Sequence, residues 1–249
     1  MLREGERLEN LGRGVRAIVS PAHAFGVDAV LLADFAATAA RPGTGRSPAR
    51  RLGDLGTGCG ILPLLWRRAG LTQPVDAFEL QPEAADMARR AVAMSGIEDV
   101  TVHTCDLRRL GVEFAGRFSL VACNPPYTPV GAGHLSRSAA ARAARQETAC
   151  TLGDVAGAAA RLLEPGGRLC LCLPPARLAE LFATLRQNGL EPKRLRPVQR
   201  DTLSAPWLML AEGRRGGRPG LAVEPALLMR DAQGGETAEM RRIYGECGR

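Results

Sequence analysis

The stretch Asp54-Leu55-Gly56-Thr57-Gly58-Cys59-Gly60 limits the fold more than any other part of the chain. It ends a short apolar run, RRLGDLG (50–56), and precedes a helical pattern through Ile61, Leu64, Leu65 and Trp66. Glycines at alternate positions permit a tight strand-to-helix turn, because glycine reaches positive φ at no steric cost. They also let a ligand approach backbone N–H groups at the N-terminus of a helix. The turn therefore predicts the first βα unit of an α/β fold, with a ligand on its rim.

The rest of the chain continues the pattern. Short apolar runs alternate with helical stretches, which implies βα units and a mainly parallel sheet. Strands are expected at VDAFEL (75–80), DVTVHTCD (99–106), FSLVACN (118–124) and GGRLCLCLP (166–174). Helices are expected from Pro82 to about Ser95, from about Gln146 to Leu163, and over 176–188. LRPVQ (195–199) and PWLMLAEG (206–213) read as a closing antiparallel pair, and the tail ends in a short helix near Tyr244. Ahead of the core, residues 1–40 hold AIVSP and the helical VDAVLLADFAATAA, and a basic loop, RPGTGRSPARR (41–51), leads to the first core strand. The organisation expected is one structural domain, with an extension at 1–50 packed on a core domain at 51–249.

Composition narrows the setting. A chain of 249 residues can bury one sizeable core. No apolar run approaches the roughly 20 residues a bilayer span needs, and the N-terminus lacks a signal-peptide core. A cytoplasmic protein without membrane attachment is expected. The seven cysteines (59, 105, 123, 150, 170, 172 and 247) form no C-x-x-C pair and, apart from His103 near Cys105, have no histidines close by, which argues against a metal site. Cys170 and Cys172 alternate with leucines, so both should point to one face of the sheet. The net charge of +7 suits a polyanionic partner such as nucleic acid.

Candidate site residues fall at strand ends, the rim where open α/β sheets bind ligands. The dinucleotide fingerprint is G-x-G-x-x-G, whereas D-x-G-x-G-x-G, led by an acid, is the form that suits S-adenosyl-L-methionine, which has no pyrophosphate to cradle. Glu79 ends the second strand of the core, at a spacing from Asp54 suited to ribose hydroxyls. Asp106 ends the third and could accept from an adenine amino group; a helix cap is the plainer reading of such a carboxylate. Directly after the fourth strand stands Asn124-Pro125-Pro126-Tyr127. A conjugated amino group is a poor nucleophile because its lone pair is delocalised. Acceptors aimed at its hydrogens favour the pyramidal, positively charged nitrogen of the transition state. Asn124 Oδ1 and the Pro125 carbonyl can supply them, and Tyr127 offers a face on which a planar target stacks.

Together these residues resemble the Rossmann-like class I methyltransferases with an N-P-P-Y signature. The chain is most similar in pattern to the tRNA1(Val) (adenine(37)-N6)-methyltransferase family. ERLENL…AFGVDAVLLADFA, ELQPEAADMARR, ARQETACTLGDV…LLEPGGRL and ETAEMRRIYG all look like that family. The resemblance implies a mainly parallel seven-stranded sheet with helices on both faces and an antiparallel closing strand. It implies S-adenosyl-L-methionine as cofactor, tRNA as substrate and transfer to N6 of adenine. Asp54, Gly56, Gly58 and Gly60 would line the methionine end, Glu79 would hold the ribose and Asp106 the adenine. Asn124, Pro125, Pro126 and Tyr127 would form the catalytic segment, with Asn124 also bordering the cofactor. Phe25 and Asp28 lie in a segment that in such enzymes folds over cofactor and target. The pattern departs at Thr128, where many relatives carry a second aromatic. Two alternatives stand: methylation of a glutamine amide in a translation factor, and a catalytically silent cofactor-binding module that binds RNA or protein. The basic stretches HLSRSAAARAAR (134–145) and EPKRLRPVQR (191–200) are candidates to follow a phosphate backbone.

Overall fold

The computed structural model describes residues 2–41, 50–125 and 150–245. The chain opens with a hairpin of β1 (Arg7–Gly12) and β2 (Val15–Val19), followed by α1 (Val27–Ala40). The core then runs β3 (Leu52–Leu55), α2 (Ile61–Arg68), β4 (Val75–Glu79), α3 (Pro82–Met94), β5 (Val100–Thr104) and β6 (Phe118–Cys123). It continues through α4 (Leu152–Leu162), β7 (Leu163–Leu173), α5 (Leu178–Gln187), β8 (Leu190–Gln199) and β9 (Leu208–Arg215). Two short strands, β10 (Ala222–Val223) and β11 (Leu227–Leu228), and α6 (Ala238–Tyr244) close the described chain.

The main sheet has the order β10-β8-β9-β7-β6-β3-β4-β5, with β11 also paired to β8. Seven long strands thus form the expected sheet, and β9 alone runs against its neighbours β7 and β8. The short parallel strands β10 and β11 extend it beyond the seven. Successive strands leave β3 on one side toward β4 and β5, and on the other toward β6 and β7. The crevice at that reversal, beyond the carboxyl ends of β3 and β6, is where such sheets take ligands.

Local sequence explains most element ends. Pro82 opens α3 at a position where its missing N–H costs nothing. Thr151 and Asp154 form a reciprocal capping box on α4: each side chain accepts the other residue's N–H, at 3.1 and 2.9 Å. That cap starts the helix at Leu152, and the part of the predicted helix from Gln146 to Ala149 lies outside the described residues. The β1–β2 hairpin, of which the sequence reading saw only AIVSP, turns at Arg13-Gly14, both with positive φ. Turns of that type match the twist of paired strands, and the G-R-G triplet was its unread signal.

Two apolar layers sandwich the sheet. One joins β1, β2, α1, α2 and α3, and includes Ile18, Leu31, Leu32 and Trp66, with Cys170 and Cys172 of β7. The other joins α4 and α5 with Phe78, Phe118 and Leu169, Leu171 and Leu173 of β7. The alternation of cysteine and leucine along β7 is therefore a two-faced core pattern, as read. The N-terminal segment supplies a large share of the first layer, and Trp66 Nε1–H donates to the α1 carbonyl of Ala33 at 3.2 Å. No helix among the described residues is long and apolar enough to cross a membrane.

One expectation needs correction. Residues 191–199 of the basic stretch 191–200 belong to β8, where Arg194 and Arg196 are neutralised internally, while Arg200 just beyond the strand is exposed. Arg194 bonds Glu212 at 2.9 Å and Glu224 at 2.7 Å, and stacks over Phe35. Arg196 takes both oxygens of Glu239 at 2.8 Å. Cations spent on buried or half-buried carboxylates are not available to phosphates. The stretch 134–145 lies outside the described residues.

If the hairpin is part of the core, truncating a buried side chain there should unfold the whole protein more easily. Ile18→Ala, at a fully buried position, should cost about 2–5 kcal/mol, as large-to-small core changes do. Urea denaturation followed by tryptophan fluorescence, which reports on Trp66 in the core, measures it; a cost near zero would show the hairpin to be peripheral.

Candidate active site

The glycine turn is built as its sequence demands. Gly56, Gly58 and Gly60 have φ of 71°, 57° and 83°, a region that side-chain-bearing residues avoid. The turn is clasped to the end of β4. Gly56 and Thr57 N–H both donate to the Phe78 carbonyl, at 2.8 and 3.0 Å. Gly58 N–H donates to Glu79 Oε2 at 2.8 Å, and Gln81 N–H to Glu79 Oε1 at 2.9 Å. Glu79 is thus both a buried cleft carboxylate and a brace for the turn. Gly60 does a different job: a Cβ there would come within 3.0 Å of Ala88 Cβ, so it brings α2 close to α3. It does not line the cavity.

The turn floors a cavity of about 460 Å³, within the range of small-molecule sites. Asp54, Gly56, Gly58, Glu79, Asp106, Asn124 and Pro125 all border it. Pro126 and Tyr127 lie outside the described residues. Phe25 and Asp28 of the N-terminal segment reach the same space. Sequence reasoning gave no role to His23, Leu80, Leu107, Cys105, Cys123 or Cys150, which also border it. Leu80 and Leu107 immediately follow the two strand-end acids, so their place was legible in retrospect. Burial holds the Cys105, Cys123 and Cys150 thiols above their usual range, which makes them apolar lining rather than nucleophiles.

The acids sit in contrasting surroundings. Asp106 caps the turn at 107–109 by accepting Arg108 N–H at 2.9 Å, and its carboxylate also pairs with the Arg108 guanidinium at 2.6 Å. That guanidinium pulls its pKa down to about 2. Asp54 is buried, and burial pushes its carboxyl up to about 7; the Thr57 side chain beside it opposes that rise and the Glu79 charge adds to it. Its Oδ2 and the Thr57 Oγ1 beside it in the turn are buried without a hydrogen-bond partner. Orphaned polar atoms under a glycine cradle, in a cavity of this size, fit a ligand that brings cationic and donor groups. S-adenosyl-L-methionine carries a sulfonium and an ammonium. Among the described residues no cluster of His, Cys, Asp or Glu could hold a metal ion.

Asn124, at the end of β6, has an amide with a fixed orientation. Its Nδ2 donates to Asp28 Oδ2 at 3.0 Å, and its Oδ1 accepts from the Cys172 thiol at 3.1 Å. The amide oxygen has a second lone pair with which to meet an acceptor amine.

The state of Asp54 makes a pH prediction. A carboxyl near 7 must lose its proton to face a cation, so cationic-ligand binding releases a proton below that pH. Affinity for S-adenosyl-L-methionine should be greatest above pH 7 and should fall as the pH drops below it, by at most about tenfold per unit. Asp54→Asn should flatten the profile. Calorimetry between pH 5.5 and 8.5 checks this; a parent profile as flat as the variant's would remove Asp54 from the site.

Comparison with known proteins identifies the family. A family model described as the methyltransferase small domain matches residues 36–176. A tRNA1(Val) (adenine(37)-N6)-methyltransferase of Dickeya chrysanthemi is 35% identical over 170 residues, 67% of this chain and 66% of that protein. A release factor glutamine methyltransferase of Deinococcus radiodurans is 36% identical over 149 residues, 56% of this chain and 51% of that protein. The matches thus span just under two thirds and about half of those relatives' lengths. A solved structure of a predicted O-methyltransferase from Agrobacterium tumefaciens shares the fold, with TM-score 0.66 and 23% identity, covering 87% of this chain and 95% of that one. The chain belongs to the methyltransferase small domain family.

Proposed function

We propose that this chain transfers a methyl group from S-adenosyl-L-methionine to an exocyclic, conjugated amino nitrogen, and that its acceptor is N6 of an adenine in tRNA. The observation that carries the proposal is Asn124: a side-chain amide of fixed orientation, followed by Pro125, on the rim of the cavity that the glycine turn floors. The bound cofactor supplies an electrophilic methyl group on sulfur. Asn124 Oδ1 and the Pro125 carbonyl accept from the two amino hydrogens of the target. This draws the nitrogen lone pair out of conjugation and stabilises the charge that grows as the N–C bond forms and the C–S bond breaks. The extra proton of the methylated nitrogen then leaves to water, so no strong base is required. Glu79 would hold the ribose, Asp106 the adenine and Asp54 the cationic end of the cofactor.

The Dickeya relative's name favours adenine as the acceptor. The Deinococcus relative keeps a second reading open, because a glutamine amide is also a conjugated amine and asks the same of Asn124. Labelled cofactor incubated separately with total tRNA, rRNA and total protein, with the product identified by mass spectrometry, decides between them. Label in protein alone would transfer the proposal to the amide.

Two further outcomes are expected. Asn124→Ala should slow single turnover at saturating substrate by about a hundredfold or more, as loss of a well-placed electrostatic group does. Cofactor binding should hardly change; an undiminished rate would make Asn124-Pro125 a simple turn. RNA affinity should depend on exposed cations at the cleft end of the sheet. Arg109 and Arg200 follow β5 and β8 there and have no ion-pair partner among the described residues. Replacing each by Ala should reduce the slope of log affinity against log salt by about one. Filter binding across a salt series measures it, and unchanged slopes would place the RNA elsewhere.

A further inference from the structure

Asn124 can serve an amine only if its oxygen, not its nitrogen, faces the acceptor, and the two ends of a side-chain amide have nearly the same shape. One neighbour breaks the tie. Asp28, in the first turn of α1, takes Asn124 Nδ2–H on its Oδ2 at 3.0 Å. A carboxylate accepts and does not donate, so a reversed amide would set Asn124 Oδ1 against a carboxylate oxygen. The Cys172 thiol at the other end is a weak donor and settles little. Asp28 has its own seat. The residue before α1 is Gly26, at φ −107°, where any residue could stand on backbone grounds. A Cβ there would come within 2.5 Å of Asp28 Oδ1. Glycine at that point makes room for the carboxylate.

We infer that Asp28 is a positioning residue for methyl transfer: its carboxylate orients the Asn124 amide so that Oδ1 meets the acceptor amine. The inference rests on the proposed role of Asn124. It places a determinant of the reaction in the N-terminal segment, outside the strands that carry the cofactor acids.

The test has two arms. In 15N-labelled protein, the side-chain NH2 pair of Asn124 is the one lost in Asn124→Ala. Asp28→Ala should shift that pair, and Asp28→Asn, which keeps an acceptor oxygen, should largely restore it. Gly26→Ala should reproduce the shift by displacing the carboxylate, which guards against an Asp28 variant that fails to fold. In single turnover at saturating cofactor, with whichever acceptor the parent methylates, Asp28→Ala should lose about tenfold in rate. Added to Asn124→Ala it should lose nothing more, since the two act as one unit. An unmoved Asn124 resonance, or losses that simply add, would overturn the inference. If the parent methylates neither tRNA nor protein, the acceptor reading fails, and the resonance arm alone still decides whether Asp28 orients Asn124.

Discussion

The Phe78 carbonyl accepts two backbone bonds from the glycine turn, and the Glu79 carboxylate accepts a third. The cleft depends on that clasp. A turn with three residues at positive φ has little stiffness of its own, because glycine loses the most backbone entropy on ordering. Tying it to the end of β4 fixes the floor of the cavity against the strand that supplies the buried Glu79. Asp54 is then sealed under the turn with an unpartnered oxygen. Its raised pKa follows chiefly from burial, with the Glu79 charge adding to it. The same turn that offers open backbone to a ligand therefore leaves a polar deficit that a cationic ligand can fill.

The second constraint is the packing of the N-terminal segment. Its hairpin and helix are not an ornament on a finished domain, since Ile18, Leu31 and Leu32 are buried in the layer that also holds Trp66 and Met87. Ion pairs fasten the seam: Arg90 with Glu6 at 2.5 Å, and Arg242 with Asp34 at 2.7 Å. The consequence reaches the chemistry. Packing α1 over β6 and β7 brings Asp28 to Asn124, residues far apart in sequence, and seats both on one cavity. A mutation in the hairpin can thus disturb the end of β6 without touching it.

Charge has a divided use. The arginine excess suggested a polyanion, yet much of it is structural. Arg51 with Asp76, Arg194 with Glu212, and Arg196 with Glu239 are partly or largely shielded pairs that organise the sheet. Removing one partner of such a pair strands the other in a poor solvent, which is why these cations are poor candidates for a transient contact with a polyanion. Those left exposed at the carboxyl ends of the strands are better ones.

The sequence by itself determined the α/β class, the parallel order of the core, its antiparallel closing pair and the positions of the cleft residues. Strand and helix periods, prolines and glycines act over a few residues, and an open α/β sheet puts its strand ends on one rim. Asp54, Glu79, Asp106 and Asn124 could be placed there by counting strands. Tertiary structure decided what each group does once there. Gly60 spaces two helices and does not border the cavity. Asp106 also caps a turn and pairs with an arginine, and Glu79 also braces the turn. Arg194 and Arg196 turned out to be paired. The bond between Asp28 and Asn124 was equally invisible. Such pairings join elements distant in the chain, and their geometry is fixed only when the two apolar layers close on the sheet.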